Sequence, residues 1–391
     1  MPADTRFRRK LVFGVVGLLT MTAAFVQASQ HESQAIPIWS TDTGGDVDST
    51  PTVANGLLYV GSDSGSIYAL DASTGQVLWI TNTGGEVNSS PTVVDGVVYV
   101  GSADNNVYAL SAQTGEVFWT TATGGSVDSS PTVSNGLLYV GSDSGSIYAL
   151  DASTGQVLWI TNTGGEVNSS PTVVDGVVYV GSADNNVYAL SAQTGQIFWT
   201  TTTGGSVDSS PTVVDGLLYV GSDNGGIYTL DAATGQVLWI TLAGDDVNSS
   251  PAVADNTVFA GSDNGFLLAL DASTGQLFWI TITGGAIASS PTVLDGVVYF
   301  GSGDGFLYGL DALTGQIELQ EFIGAPVDSS PFISDSVLYI GSDDNFIYAF
   351  DLPAVVAVAE PATAYLIGIG LGCLVLLCRC GHRTARVGCK A

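Results

Sequence analysis

The sequence predicts an all-β fold, an eight-bladed β-propeller of four-stranded blades closed by an N-terminal strand, and three observations carry that prediction. A Ser-Pro or Thr-Pro pair recurs with its proline at Pro51, Pro91, Pro131, Pro171, Pro211, Pro251, Pro291 and Pro331, a period of 40 residues. Each unit holds four short β-rich runs separated by turn residues, and radially stacked four-stranded sheets have this periodicity. The last unit stops one run short, while a run of the missing kind, Ile38 to Thr43, stands ahead of the first unit.

Within the unit Ser89 to Gly125 the runs read "SSPTV", "VVYVGS", "NVYALS" and "EVFWTT". Asp95-Gly96, Asp104-Asn105 and Thr114-Gly115 supply the turns, because Gly, Asn and Asp tolerate the left-handed backbone that tight hairpins need. "VVYVG" and "LLYVG" are nearly continuous apolar stretches, as expected when neighbouring sheets cover both faces. A longer copy lies above the unit: Asn55 to Gly115 recurs unchanged as Asn135 to Gly195, which points to duplication of a pair of blades.

Charge divides the chain sharply. All eight Lys and Arg lie at its ends, at Arg6, Arg8, Arg9 and Lys10 and at Arg379, Arg383, Arg386 and Lys390. Between Ile38 and Leu352 there are 34 acidic residues and no basic one, so the body is a polyanion without internal ion pairs. Nucleic acid is excluded as a partner, and cationic partners are favoured. The simpler role of this charge is solubility, in surroundings salty enough to screen self-repulsion.

Residues 1–28 read as a secretory signal peptide: a basic start, the apolar run "LVFGVVGLLTMTAAF", then small residues at Val26 and Ala28 before Ser29. Residues 29–37 form a short linker to a propeller spanning 38–352. All four cysteines (Cys373, Cys378, Cys380, Cys389) lie beyond the propeller, so packing alone must hold it.

Ala69, Asp71, Thr74, Gly75 and Trp79 in "ALDASTGQVLW", recurring along the chain, resemble the tryptophan-docking motif of the pyrroloquinoline-quinone-like propeller repeat. The resemblance implies that Trp39, Trp79, Trp119, Trp159, Trp199, Trp239 and Trp279 pack between adjacent blades. Burying such a ring, ~150 to 250 Å² at ~25 cal/mol/Å², contributes up to ~4 to 6 kcal/mol. Ser111 and Ser191 replace the motif Asp, and Leu319 replaces the tryptophan. Counting Trp39 as the missing fourth strand completes eight outer strands.

The resemblance also raises a quinone-dependent dehydrogenase. Its cofactor carries carboxylates and, in that family, is met by basic side chains, a calcium site and often a cysteine pair. From Ala35 to Leu352 this chain has no Lys, Arg, His or Cys, hence no cationic clamp, thiol nucleophile or imidazole base. No enzyme and no bound cofactor are expected. Calcium is the one ion that the body's residues suggest: Asp48, Asp128, Asp208 and Asp328 alternate with Asn88, Asn168 and Asn248 at the start of the inner strands, and a ring of such oxygens would suit a hard cation. The simpler reading has these side chains satisfying backbone donors there. The three asparagines also match N-x-S.

After a linker at 353–361, residues 362–378 form an uncharged apolar segment of 17 residues, near the minimum for a membrane span, followed by a basic tail at 379–391. Glu360-Pro361, the apolar segment and the cluster from Arg379 resemble the bacterial PEP-CTERM sorting signal, which implies cutting by an exosortase during export. Ala359 stands where that signal usually has proline, and a plain single-pass anchor is the alternative. Cys378, Cys380, His382 and Cys389 are too irregularly spaced for a zinc set.

The expected protein is therefore an exported envelope or surface propeller, a non-catalytic binding or scaffold module for envelope or matrix proteins or other cationic partners, tied to the membrane by its C-terminal helix. The repeat resemblance implies an alternative, a barrel-assembly type of interaction propeller, although no Cys follows the N-terminal apolar run to carry a lipid.

Overall fold

The computed structural model describes residues 36–352, and all regular structure among them is β-strand. Thirty-two strands form eight antiparallel sheets of four. Blade 1 runs from the axis outward through Thr52–Ala54, Leu57–Ser62, Ser66–Asp71 and Val77–Asn82, and the following blades repeat it.

Turn chemistry sets the register. Asn55 and Gly56 take φ of 53° and 78° between the first two strands, the paired left-handed conformation of a two-residue hairpin that matches strand twist. This aligns Val53 with Leu58 and Thr52 with Tyr59. Farther out, a bulge between Ala69 and Leu70 bends the sheet before its outer strand, an irregularity that no turn residue announces.

The two middle strands are buried on both faces, while the outer strand alternates between half-buried and exposed. The core therefore lies between blades: Val107 and Ala109 of blade 2 pack with Val127, Leu138, Val140 and Leu150 on the blade 3 side. Gly61 marks how closely the layers approach, since a Cβ there would sit 2.3 Å from the Val87 carbonyl oxygen. Near the axis, hydroxyls tie successive blades together: Thr50 N–H donates to Ser90 Oγ at 2.9 Å, and Ser90 N–H to Ser130 Oγ at 2.9 Å.

The eighth blade is composite, as the strand count predicts. Trp39–Asp42 pairs with Phe346–Asp351 in the register Trp39 to Ala349 and Asp42 to Phe346, outside Val337–Gly341 and Phe332–Ser334. Closure leaves no blade missing a strand. The regular strand is one residue shorter at each end than the expected Ile38–Thr43, although the N–H groups of Ile38 and Thr43 still donate to the Ala349 and Asn345 carbonyls of blade 8 at 2.7 and 2.8 Å. The inner strands are shorter too: Thr92–Val94 replaces "SSPTV", since Pro91 has no N–H to donate and the serines bond neighbouring blades instead. The expected signal peptide, linkers, apolar segment, basic tail and the residues Glu360, Pro361 and Arg379 lie outside the described residues, apart from Ile36 and Pro37 of the first linker.

Candidate interaction faces

Each blade seam but one is built on a tryptophan. Trp39 Nε1 donates to the Ala72 carbonyl at 3.1 Å, and Thr41 Oγ1 to the Gly75 carbonyl at 2.7 Å. Gly75 lies under the indole with φ of 71°, where a Cβ would come within 2.5 Å of the ring. Trp79, Trp119, Trp159, Trp199, Trp239 and Trp279 reach Ala112, Ala152, Ala192, Ala232, Ala272 and Ala312 at 3.0 to 3.1 Å. A tyrosine that the repeat motif does not single out joins this lock: Tyr339 donates to the same Ala72 carbonyl at 3.2 Å, its ring 5.9 Å from that of Trp39. Its signal was present as the tyrosine recurring in "YVG" at Tyr59, Tyr99, Tyr139, Tyr179 and Tyr219 and in "YIG" at Tyr339.

The turn that carries Ala72 is held by Asp71, whose Oδ1 accepts from the N–H and hydroxyl groups of both Ser73 and Thr74. These bonds favour the anion and lower its pKa. In blade 2, Ser111 Oγ accepts only the Thr114 N–H, at 3.2 Å, so the motif tolerates the exchange with a thinner network.

One end of the ring is an acidic mouth, formed by the segments before the inner strands and the hairpins between second and third strands. Asp48 lies between the buried Val47 and Ser49. Its carboxyl is pushed up to about 6 by burial, then by the charges of Asp343, Asp328 and Asp46, and it shares a hydrogen bond with Asp343. Asp343 is likewise raised to about 6 by burial and by Asp328 and Asp46. Asp63, Asp143 and Asp223 reach about 6, each first through burial, and each keeps one buried oxygen without a hydrogen-bond partner. Asp208 is raised by burial while it accepts from Ser206 at 3.2 Å, and Asp128 accepts from Ser126 at 3.0 Å. Asp328 is the most exposed of the four expected ligands, yet enough protein surrounds it to thin its water shell and raise it. Asp48, Asp128, Asp208 and Asp328 stand on different blades, and among the described residues no three His, Cys, Asp or Glu side chains converge on a metal position. Asn88 and Asn168 each leave a buried amide oxygen unpartnered, whereas Asn248 donates to Asp263 at 3.2 Å.

The other end carries the first hairpins and the "DASTG" turns, joined by bonds such as Ala72 N–H to the Gly56 carbonyl at 3.0 Å. Grooves open there between blades: a cavity of about 640 Å³ at the seam of blades 8 and 1, and one of about 490 Å³ at the seam of blades 2 and 3.

A closed eight-bladed propeller with docked tryptophans at its seams is a protein of the quinone-type repeat class. The chain belongs to the family whose model carries the description "Outer membrane protein assembly factor BamB", which matches it over residues 35–128, 103–242 and 224–322. Among solved structures, BamB from Moraxella catarrhalis is similar with a TM-score of 0.71 and 22% identity, covering 81% of this chain and all of that one. The computationally designed Ika8 protein is similar at 0.72 and 21%, covering 82% of this chain and 99% of its own. The quinohemoprotein alcohol dehydrogenase ADHIIG from Pseudomonas putida HK5 is similar at 0.68 and 17%, covering 84% and 77%. At these identities the likeness is one of fold. No curated protein gives a significant match.

The donor set does not fit the quinone cofactor. Its carboxylates would meet a body whose charged side chains are all Asp and Glu, and whose mouth already raises its own acids by burial and then by mutual repulsion.

Proposed function

We propose that this chain is an exported, envelope-associated propeller that works as a non-catalytic binding module for proteins. The observation that carries the reading is the pairing of membership in an outer-membrane assembly-factor family with a body free of Lys, Arg, His and Cys. Such a ring offers two broad faces and short loops for contact, and it has no cationic clamp, thiol nucleophile or imidazole base. The N-terminal basic and apolar run supports export, and Glu360-Pro361 followed by the apolar segment and Arg379 supports sorting or anchoring at a membrane.

Capture of partners by the full chain from the host envelope fraction tests the interaction reading, with specific and saturable recovery of envelope proteins as the expected result. Dye reduction on adding quinone and calcium with an alcohol would overturn the non-catalytic part. Mass spectrometry of the mature C-terminus separates a cut sorting signal, ending near Glu360, from an intact anchor.

A further inference from the structure

The grooves opposite the acidic mouth repeat one arrangement. At the seam of blades 8 and 1, Val53, Val337 and Tyr339 make an apolar floor, with Asp71 and Asp335 at its margin. At the seam of blades 2 and 3 the floor is Val97, Tyr99 and Phe118, and the margin is Asp95 and Asp151. The buried phenols feel these charges: Tyr339 is raised by burial, then by Asp335 and Asp71, and Tyr99 by burial, then by Asp95 and Asp151. Two other seams have exchanged both acids for neutral residues, Asn55 with Ser111 and Asn135 with Ser191, and there Tyr59 and Tyr139 are raised by burial alone.

We propose that the seams of blades 8 and 1 and of blades 2 and 3 are sockets for Lys or Arg side chains of a partner polypeptide. The aliphatic stem of such a residue covers the valines and aromatic ring, while its head lies between two carboxylates that have no cation of their own in this body. A bare metal ion would gain nothing from the apolar floor, and an anion would be repelled. Cavities of this size hold a side chain with its flanking backbone. The inference rests on the protein-binding reading above and names the chemistry of the partner.

The chain supplies its own neutral variants: Asp335→Asn with Asp71→Ser, and Asp95→Asn with Asp151→Ser, copy the two neutral seams and keep the fold they already have. The probe is a fluorescent acetyl-Leu-Lys-Leu-amide peptide, titrated against the full chain by anisotropy and then joined to it by carbodiimide and mapped by mass spectrometry. Cross-links are expected at Asp71, Asp335, Asp95 and Asp151 and are lost from both seams in the fourfold variant, while the paired acids Asp175 with Asp231 and Asp215 with Asp271, beside Tyr179 and Tyr219, retain part of the affinity. Asn55→Asp with Ser111→Asp is expected to add a cross-link at the seam of blades 1 and 2. Absence of cross-links at these four acids in the wild type, cross-links centred on Asp245 and Asp246 at the other face, or equal binding of a Ser-Lys-Ser probe would each overturn the sockets. Envelope partners captured equally by the wild type and the fourfold variant would also overturn the sockets but leave the protein-binding reading standing. Peptide binding without any envelope partner would do the reverse.

Discussion

The indole nitrogen of Trp39 and the carbonyl oxygen of Ala72 lie 3.1 Å apart, and this bond joins the first strand of the described chain to blade 1 while that strand pairs with the last. The first and last strands thus share one blade, and the indole bond ties that blade to its neighbour. Trp39→Ala removes the indole from its contact with Gly75 and leaves the Ala72 carbonyl with Tyr339 alone, at an expected cost of about 3 kcal/mol. Trp39→Asp is expected to cost more, by placing a charge in the seam. Denaturant unfolding checks both, and an unchanged midpoint in either variant would show that the ring does not depend on this closure.

Backbone strain offers a gain at blade 8. Asp335 and Ser336 hold φ of 50° and 63° at a hairpin where blades 1 to 5 and blade 7 place glycine second. Ser336→Gly is expected to stabilise by about 0.5–1 kcal/mol, the relieved left-handed strain outweighing the added freedom of the unfolded chain. Gly75→Ala is expected to go the other way by about 2–4 kcal/mol, since its φ is positive and its Cβ would strike the Trp39 ring. Thermal melts of the two variants should move in opposite directions.

The period of Pro51 to Pro331 and the stray Trp39 were enough to read the ring, its blade count and its closure, because those properties follow from repetition. The bulge at Ala69 and Leu70 was not legible, since it arises from sheet twist rather than from a turn residue. At the mouth, the alternation of Asp48 and Asn88 was visible, but the companions that perturb it were not: Asp343 reaches Asp48 from the hairpin of another blade, far along the chain. The paired acids of the opposite grooves escaped for the same reason, as Asp71 and Asp335 become neighbours only once the ring closes.

Leu319 identifies the seam of blades 7 and 8 as the weakest. It packs where the other seams have an indole, so no Nε1 bond crosses to blade 8. The axial bonds remain, Ser290 N–H to Ser330 Oγ at 2.9 Å and Thr292 Oγ1 to the Pro331 carbonyl at 2.7 Å. Hydrogen exchange is expected to be fastest, among outer strands, in Ile317–Phe322, which faces this seam, and slower in Val157–Asn162, whose Trp159 is locked to Ala192 at 3.0 Å. Equal protection of the two strands would show that a seam stays closed without its indole lock.

The acidic mouth makes stability fall as pH rises through the mildly acidic range. Asp48, Asp63, Asp143, Asp223 and Asp343 titrate at about 6 in the fold against an ordinary value of 3.8, so between those limits the folded state holds more protons than the unfolded one. Lowering pH from 7 to 5 is expected to stabilise the protein by about 2 kcal/mol in sum, after allowance for solvent screening of these partly exposed groups. Further acidification reverses the trend, because Asp71, Asp151 and Asp271 have carboxyls lowered by hydrogen bonds that are lost on protonation. At pH 7, where the mouth is ionised, added sodium chloride is expected to raise the melting temperature more than it does at pH 5, and calcium more than sodium at equal ionic strength if a cation settles among these acids. A melting temperature higher at pH 7 than at pH 5 in low salt would mean that the mouth does not carry the repulsion its geometry implies.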